Sequence, residues 1–477
     1  MTRAAAIAAA IGLVACGGGG EGPARPVAEL QDPQTCNECH PKHYTQWTAS
    51  MHAYASDDPV FVAMNKRGQR ETGGALGTFC VKCHAPMAVE LGLTTGDLDP
   101  ASLPATARGV TCYFCHNIKS VQDTHNNGLV VAGDQTMRGG LTGPVASPAH
   151  HSSYDKLMDS TVNNSEMCGS CHDVVTPRGV PLERTYEEWQ TTFFSQPDQP
   201  GMQTHLTCGA CHMPSSDGVI AEAPGLSVKS HTGGFHEHLW PAIDQGLTPL
   251  PGADMLAAGI KRDLDPAVAI VGPTVFATSL NYGGICLDPP GTLSVRMDSI
   301  GTAHAWPTGA AQDRRAWLEI LAYDADNQIV FHTGTLPDGT PLPDGMDPEQ
   351  LDDPNLFGLW DRAVKDDGTP AHMFWDIAQT TPQLLKPPVT LDKNSKLFDH
   401  SSTQPFHVEG VFTRIDHITA RIRIRPLSYG LIADLVGSGD LPAGAVTTLP
   451  TLDILGTQHT WQADPATHQM GTNCSKH

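Results

Sequence analysis

The sequence predicts an α+β protein with its two parts in series: an irregular, mainly helical N-terminal half, followed by an antiparallel β-sandwich. Three observations predict it. Five Cys-x-x-Cys-His segments crowd into residues 36–212. Apolar and polar residues alternate with period two in stretches of the C-terminal 200 residues, the pattern of half-buried strands. At 477 residues the chain is also too long for one ordinary core. The expected divisions are a signal peptide (1–15), a lipid-anchored linker (16–34), a first domain (35–246), a connection (247–265) and the β-sandwich domain (266–477).

The N-terminus carries Arg3 and an apolar run from Ala4 to Ala15, too short to span a bilayer and right for an export signal. The run ends Leu13-Val14-Ala15-Cys16, which resembles a bacterial lipobox and makes Cys16 the expected lipid anchor. Gly17 after that Cys favours the outer membrane by resemblance to lipoprotein sorting rules. The Gly/Pro-rich stretch to Pro33 is expected as a flexible tether with a span of about 23 Å. Lys plus Arg total 29 against 51 Asp plus Glu, a formal charge of -22. That balance argues against a nucleic-acid partner, because phosphate contacts need clustered cations.

The five motifs are Cys36-x-x-Cys39-His40, Cys80-x-x-Cys83-His84, Cys112-x-x-Cys115-His116, Cys168-x-x-Cys171-His172 and Cys208-x-x-Cys211-His212. Cys-x-x-Cys-His is the attachment signature of c-type haem. Positions i, i+3 and i+4 share one face of a helical turn, so two thiols reach the vinyl groups of one porphyrin while the His reaches its iron. Zinc ribbons, redox dithiols and disulfides also use Cys-x-x-Cys, but none requires the next residue to be His. With 23 His in the chain, five such coincidences have odds on the order of 10⁻⁷. Five covalently bound haem c groups are therefore expected. They leave roughly 40 residues per haem, too few for a side-chain core, so the porphyrins are expected to be the core.

Each iron needs a sixth ligand if all the haems are electron carriers. The candidates are His52, on an expected helix; His125, before the Asn126-Asn127-Gly128 turn; His150 or His151; and His236 or His238. Met51, Met87, Met137 and Met213 are rivals that rank behind His.

In the second half, Ile418, Ala420, Ile422 and Ile424 alternate with Thr419, Arg421, Arg423 and Arg425, a strand whose arginine face is expected to be solvated and internally paired, with pairing to acidic side chains or haem propionates as the alternative. Residues 317–323 and 329–332 read as a hairpin, and residues 293–297 and 408–412 as further strands. Residues 338–376 are acidic and read as a solvated loop insertion. A short helix is expected over Met255–Arg262. Cys286 and Cys474 either form a disulfide or remain as thiols.

Several segments resemble a bacterial family of exported multihaem c-type cytochromes, loosely related to the tetrahaem cytochrome and hydroxylamine oxidoreductase of ammonia oxidisers. They are Cys36 to His52 with Tyr44 and Trp47, Cys80 to Pro86, Gly109 to Cys112, Arg184 to Trp189, Cys208 to Pro214 and Ala303 to Trp317. The resemblance implies that His304 is a ligand delivered from the sandwich to a haem. It also marks His236-Glu237-His238-Leu239-Trp240-Pro241-Ala242 as the stretch that supplies a ligand after the last motif, with Ala242 where the family has Gly. The expected function is electron transfer between a periplasmic or quinone-linked donor and an outer-membrane or extracellular acceptor. Expected partners are other cytochromes, an outer-membrane conduit and, through Cys16, the membrane. Two alternatives remain: an oxidoreductase acting on a small nitrogen or sulfur compound at one open-coordinated haem, and a filament-forming extracellular cytochrome. Against the enzyme stand the absence of a Cys-x-x-Cys-Lys motif and the abundance of distal His.

Overall fold

The computed structural model describes residues 24–144, 147, 149–222, 228, 230–270, 284–299, 301–336 and 345–462. The leader, Cys16 and Cys474 lie outside the described residues. The protein combines helices with several small sheets. Among the described residues no helix is long and apolar enough to cross a membrane.

In the N-terminal half the helices are mostly one or two turns long and begin with local signals. Asp32 caps Pro33–Asn37 by accepting from Gln34 N, and Asp58 caps Pro59–Glu71 by accepting from Val60 N and Phe61 N, each followed by a proline at the first helical position. Between the helices lie two-stranded ladders: Thr136–Gly139 with His151–Tyr154, and Ser215–Gly218 with His231–His236. Apolar burial here is sparse. One cluster gathers Leu30, Met87, Tyr113, Phe114, Ile118 and Leu157, and another only Ala85, Ala88 and Ala107. The described end of the 16–34 segment departs from a free tether. Val27–Leu30 is helical, Leu30 is buried in the first cluster, and Arg25 N donates to Ala149 O. An apolar side chain with a cluster to enter outweighs the flexibility of its Gly/Pro-rich surroundings.

The C-terminal half holds two antiparallel sheets. Strand Arg315–Tyr323 pairs along its length with His417–Arg425, and Ile329–Thr333, Phe357–Leu359, Leu452–Asp453 and His459–Gln462 complete a six-stranded sheet. Strand Thr292–Asp298 lies between Ile285–Asp288 and Ser402–His407, with Ala269–Ile270 beside it. One face of each sheet feeds a single core. Leu318, Ile320, Ala322, Ile418, Ala420, Ile422 and Ile424 meet Leu287, Leu293, Val295, Met297 and Phe406 there. Each large side chain so buried contributes roughly 1.5–3 kcal/mol. Helix Ala253–Leu264 packs Leu256, Ile260 and Leu264 into the same core, so residues 247–265 are more than a connection.

The arginine face pairs internally but is not solvated throughout, since Arg423 and Arg425 are buried. Arg421 and Arg423 both reach Glu319 and Asp453, and Arg425 reaches Asp347 while lying over Trp317 and Tyr429. The acidic segment departs from a solvated loop. Asp347 is 1% exposed, Asp353 accepts from Thr333 Oγ1 and Gly334 N, and Phe357–Leu359 adds a strand to the large sheet. The strand expected at 408–412 lies at Ser402–His407, while Phe412–Arg414 is a 3₁₀ turn. Pro405 fits there because that strand edges its sheet and pairs on one side only.

The two halves touch directly. Val60 and Ala63 of helix Pro59–Glu71 pack against Leu431, Ile432 and Leu435 of helix Tyr429–Gly437, and Arg70 pairs with the buried Asp440 at 2.6 Å.

Candidate functional site

Each motif wraps about one helical turn. His40 N bonds Cys36 O at 2.8 Å, His84 N bonds Cys80 O at 3.3 Å and His172 N bonds Cys168 O at 3.0 Å. In the third and fifth motifs the residue before the first Cys, Thr111 or Thr207, is the N-cap and accepts from the backbone N–H three residues on. The two Cys and the His of a motif are thus set on one face, as attachment to a single macrocycle demands.

A ring nitrogen sits about 2.0–2.1 Å from a metal it binds and about 1.2 Å from its ring centroid, so two imidazoles on opposite sides of one iron have centroids about 6.4 Å apart. Four motif His have a second His at this span. His40 and His150 are 6.4 Å apart, His116 and His238 6.1 Å, His172 and His52 6.1 Å, and His212 and His304 6.4 Å. His43 is also 6.0 Å from His40. Three residues apart, however, the two side chains start only about 5–6 Å from each other, too close to flank a porphyrin. His43 instead packs against Phe235 and His238.

Hydrogen bonds orient these rings. Nδ1–H donates to a backbone carbonyl from His40 (Ile220, 2.6 Å), His116 (Arg138, 2.6 Å), His212 (Pro241, 3.1 Å), His150 (His151, 3.1 Å), His238 (His236, 2.9 Å) and His304 (Ala305, 2.9 Å). A proton fixed on Nδ1 leaves Nε2 with its lone pair, the tautomer a metal ligand needs. The small ladders supply this geometry: strand Thr136–Gly139 places the Arg138 carbonyl, and its partner strand begins right after His150.

Burial keeps the rings neutral. It holds His52 and His43 at about 3 and His84 and His304 at about 4, and lowers His40, His116, His150, His172 and His238. By residue exposure none of these eight His is fully buried: His172 is exposed and the other seven are half-buried. Burial likewise pushes the Cys80 and Cys115 thiols up to about 12 and Cys211 to about 11, while the neighbouring thiols Cys112 and Cys168 lower Cys36 and Cys208. Among the described residues no group of three or more Cys, His, Asp and Glu converges to hold a bare metal ion. The donor set fits a planar macrocycle gripped by thiols at its rim and imidazoles on its faces.

Contacts between thiols order the motifs in space. Cys36 lies beside Cys112, Cys168 beside Cys208 and Cys171 beside Cys83, each pair near enough to perturb one another's ionisation, while Cys115 lies close enough to Cys168 and Cys171 to interact electrostatically. The first motif therefore adjoins the third, the third the fourth, and the fourth both the second and the fifth. Cys39 and Cys286 are each disulfide-bonded. A thioether at Cys39 requires that bond to be reduced first, since one sulfur cannot hold both.

The other expected residues lie elsewhere. His125 departs from the expected ligand role: its side chain is 42% exposed and its Nδ1 bonds Asp123 Oδ1 at 2.7 Å. His151 is exposed and offers its carbonyl to His150. The ring of His236 bonds Met213 O, and it is His238 that faces His116. Met51, Met87 and Met137 are packed in or against apolar clusters. His84 stands apart. Its ring stacks face to face on Phe61 at 4.0 Å, and among the described residues no second imidazole faces it at the ligating span. Sequence reasoning missed Phe61, His43 and Trp240, the last with its indole against both His52 and His238.

Residues 35–117 match the family described as cytochrome c554 and c-prime. No curated protein matches the chain. Among solved structures, a penta-heme cytochrome c552 from Thermochromatium tepidum shares the fold, with a TM-score of 0.59 and 19% identity over 92% of this chain and 100% of that one. The motifs, the family match and the shared fold together support a multihaem c-type cytochrome with an electron-transfer role.

Proposed function

We propose that the chain is an exported pentahaem cytochrome, anchored at the outer membrane through Cys16. In this reading it carries electrons between a periplasmic or quinone-linked donor and an outer-membrane or extracellular acceptor. The four imidazole pairs carry it, because four motif His each meet a different non-motif His at the span one iron requires. Cys36/Cys39, Cys80/Cys83, Cys112/Cys115, Cys168/Cys171 and Cys208/Cys211 would hold five haems, with the two sheets of the second half forming a β-sandwich that delivers His304. When bound, haem supplies reversible one-electron transfer. The residues of the chain do the rest. Carbonyls hold the proton on Nδ1, burial keeps the imidazoles neutral, and paired ligands close four sites to substrates. The thiol contacts favour a path from the first motif through the third and fourth to the fifth, with the second beside the fourth. Haem content per chain, measured on protein matured in an exporting host, tests this reading. Five per chain with lipid on Cys16 supports it. Fewer than five, or a chain free in the periplasm without lipid, contradicts it.

His84 favours a second reading at one motif. With Phe61 beside its ring and no facing imidazole among the described residues, its iron would keep a position for a small nitrogen or sulfur compound. Titration of the oxidised protein with hydroxylamine, nitrite or sulfite tests it. A spectral change equivalent to one haem supports substrate chemistry there, and no change returns the chain to pure electron transfer.

A further inference from the structure

Trp240 touches two of the imidazole pairs at once. Its ring meets His52 edge to face at 4.6 Å and 82°, and His238 at 5.1 Å and 67°. Both are within the range of favourable aromatic edge-to-face contact. His52 faces His172 of the fourth motif, and His238 faces His116 of the third. The next residue, Pro241, offers its carbonyl to the Nδ1–H of His212 in the fifth motif. The backbone is unusual here as well. Trp240 has φ +46°, although it is bulky and precedes a proline, a setting that normally enforces an extended conformation. Such a conformation persists only where the surroundings over-determine it. Here the segment is held by the bond from His238 Nδ1 to His236 O, by the bond from His238 N to Gln46 Oε1, and by Leu239, which is buried in the main core.

Resting on the paired-imidazole reading above, we propose that Trp240 is a positioning residue shared by the third and fourth haem sites, one indole setting the ring orientation of both His52 and His238. The two sites then respond together to a change at one side chain that ligates neither iron. Groups beside a metal-bound imidazole fix its rotation, and its rotation sets the ligand field.

The test is low-temperature electron paramagnetic resonance of the oxidised, fully loaded protein, with signals assigned from His52→Met and His238→Met. Trp240→Leu should move the low-spin signals of the third and fourth sites together and leave those of the first and fifth in place. Trp240→Phe, which keeps a ring in the gap, should hold all four near their original positions. Trp240→Met, longer and more flexible than leucine at about the same volume, is made alongside so that a leucine variant that fails to load haem leaves the test intact; it should move the same two signals. A loaded Leu or Met variant in which neither signal moves, only one moves, or all four move alike would overturn the proposal. The parent reading fails separately, if the unmodified protein lacks bis-histidine signals altogether.

Discussion

Replacing His304 by alanine probes one link between the two halves. His304 faces His212 at 6.4 Å with the ring planes 12° apart. Its loop is held independently of the ring. Trp306 and Leu385 exchange backbone hydrogen bonds of 2.9 and 2.8 Å, and the Glu188 carboxylate accepts from Thr308 Oγ1 at 2.7 Å and from Ala305 N at 3.2 Å. The backbone therefore stays in place after truncation, and the described structure offers no second His to take over. The ring's own hydrogen bond, worth about 0.5–1.5 kcal/mol, is lost. With the cavity left behind, the total cost is about 2–4 kcal/mol. Spectroscopically, one haem in five changes from low to high spin, and added imidazole, small enough for the vacated space, restores it. Spin quantitation of the oxidised variant reads both effects. An unchanged spin count, or a change spread over several haems, would refute the pairing of His304 with the fifth motif.

Three further outcomes follow from the packing. Asp347 accepts from Arg425, Tyr429 N and Gly430 N at 3.1, 3.0 and 2.8 Å, so Asp347→Ala leaves a buried guanidinium without its carboxylate and costs about 3–5 kcal/mol in denaturant unfolding. An added Cβ at Gly68 would lie 2.4 Å from Leu76 Cδ2 and 2.7 Å from Trp375 Cζ3. For Gly68→Ala, overpacking of about 1–3 kcal/mol then outweighs a helix-propensity gain of about 1, so the melting temperature falls; a rise would refute the contact. Burial pulls the pKa of His372 down, but its 2.6 Å bond to Asp313 more than offsets this and leaves it above 6.5. The pair thus contributes stability that is complete below the unfolded pKa near 6.5 and is lost as pH rises through the folded value. Melting curves from pH 5 to 9 should show this loss in the wild type and not in His372→Gln.

The sequence made the proximal side of the site legible, because thioether chemistry dictates a rigid local spacing. The imidazoles that face the motif His were legible only as a pool. His52, His150, His238 and His304 come from a helix, a strand start, a post-strand turn and a loop before the central strand, and nothing local states which motif each will face. His125 looked equivalent until Asp123, two residues away, claimed its ring. Trp240 carried a faint signal in its place between His238 and Pro241. Phe61 carried none, since a Phe at the third position of a capped helix reads as ordinary core. Long alternating strands such as His417–Arg425 were readable, while Ser402–His407, mostly polar and containing Pro405, and the three-residue strand Phe357–Leu359 had no period to read. The Asp347 carboxylate of the acidic segment is spent on Arg425 and on backbone N–H groups more than 70 residues away, a use no local pattern announces.

Spin quantitation of the oxidised wild-type protein by electron paramagnetic resonance, set against haem content, tests the account most directly. Four imidazole pairs, and a His84 that no second imidazole faces among the described residues, predict five haems per chain, four low-spin and one high-spin. Five low-spin signals, or more than one high-spin haem in a fully loaded protein, would contradict it.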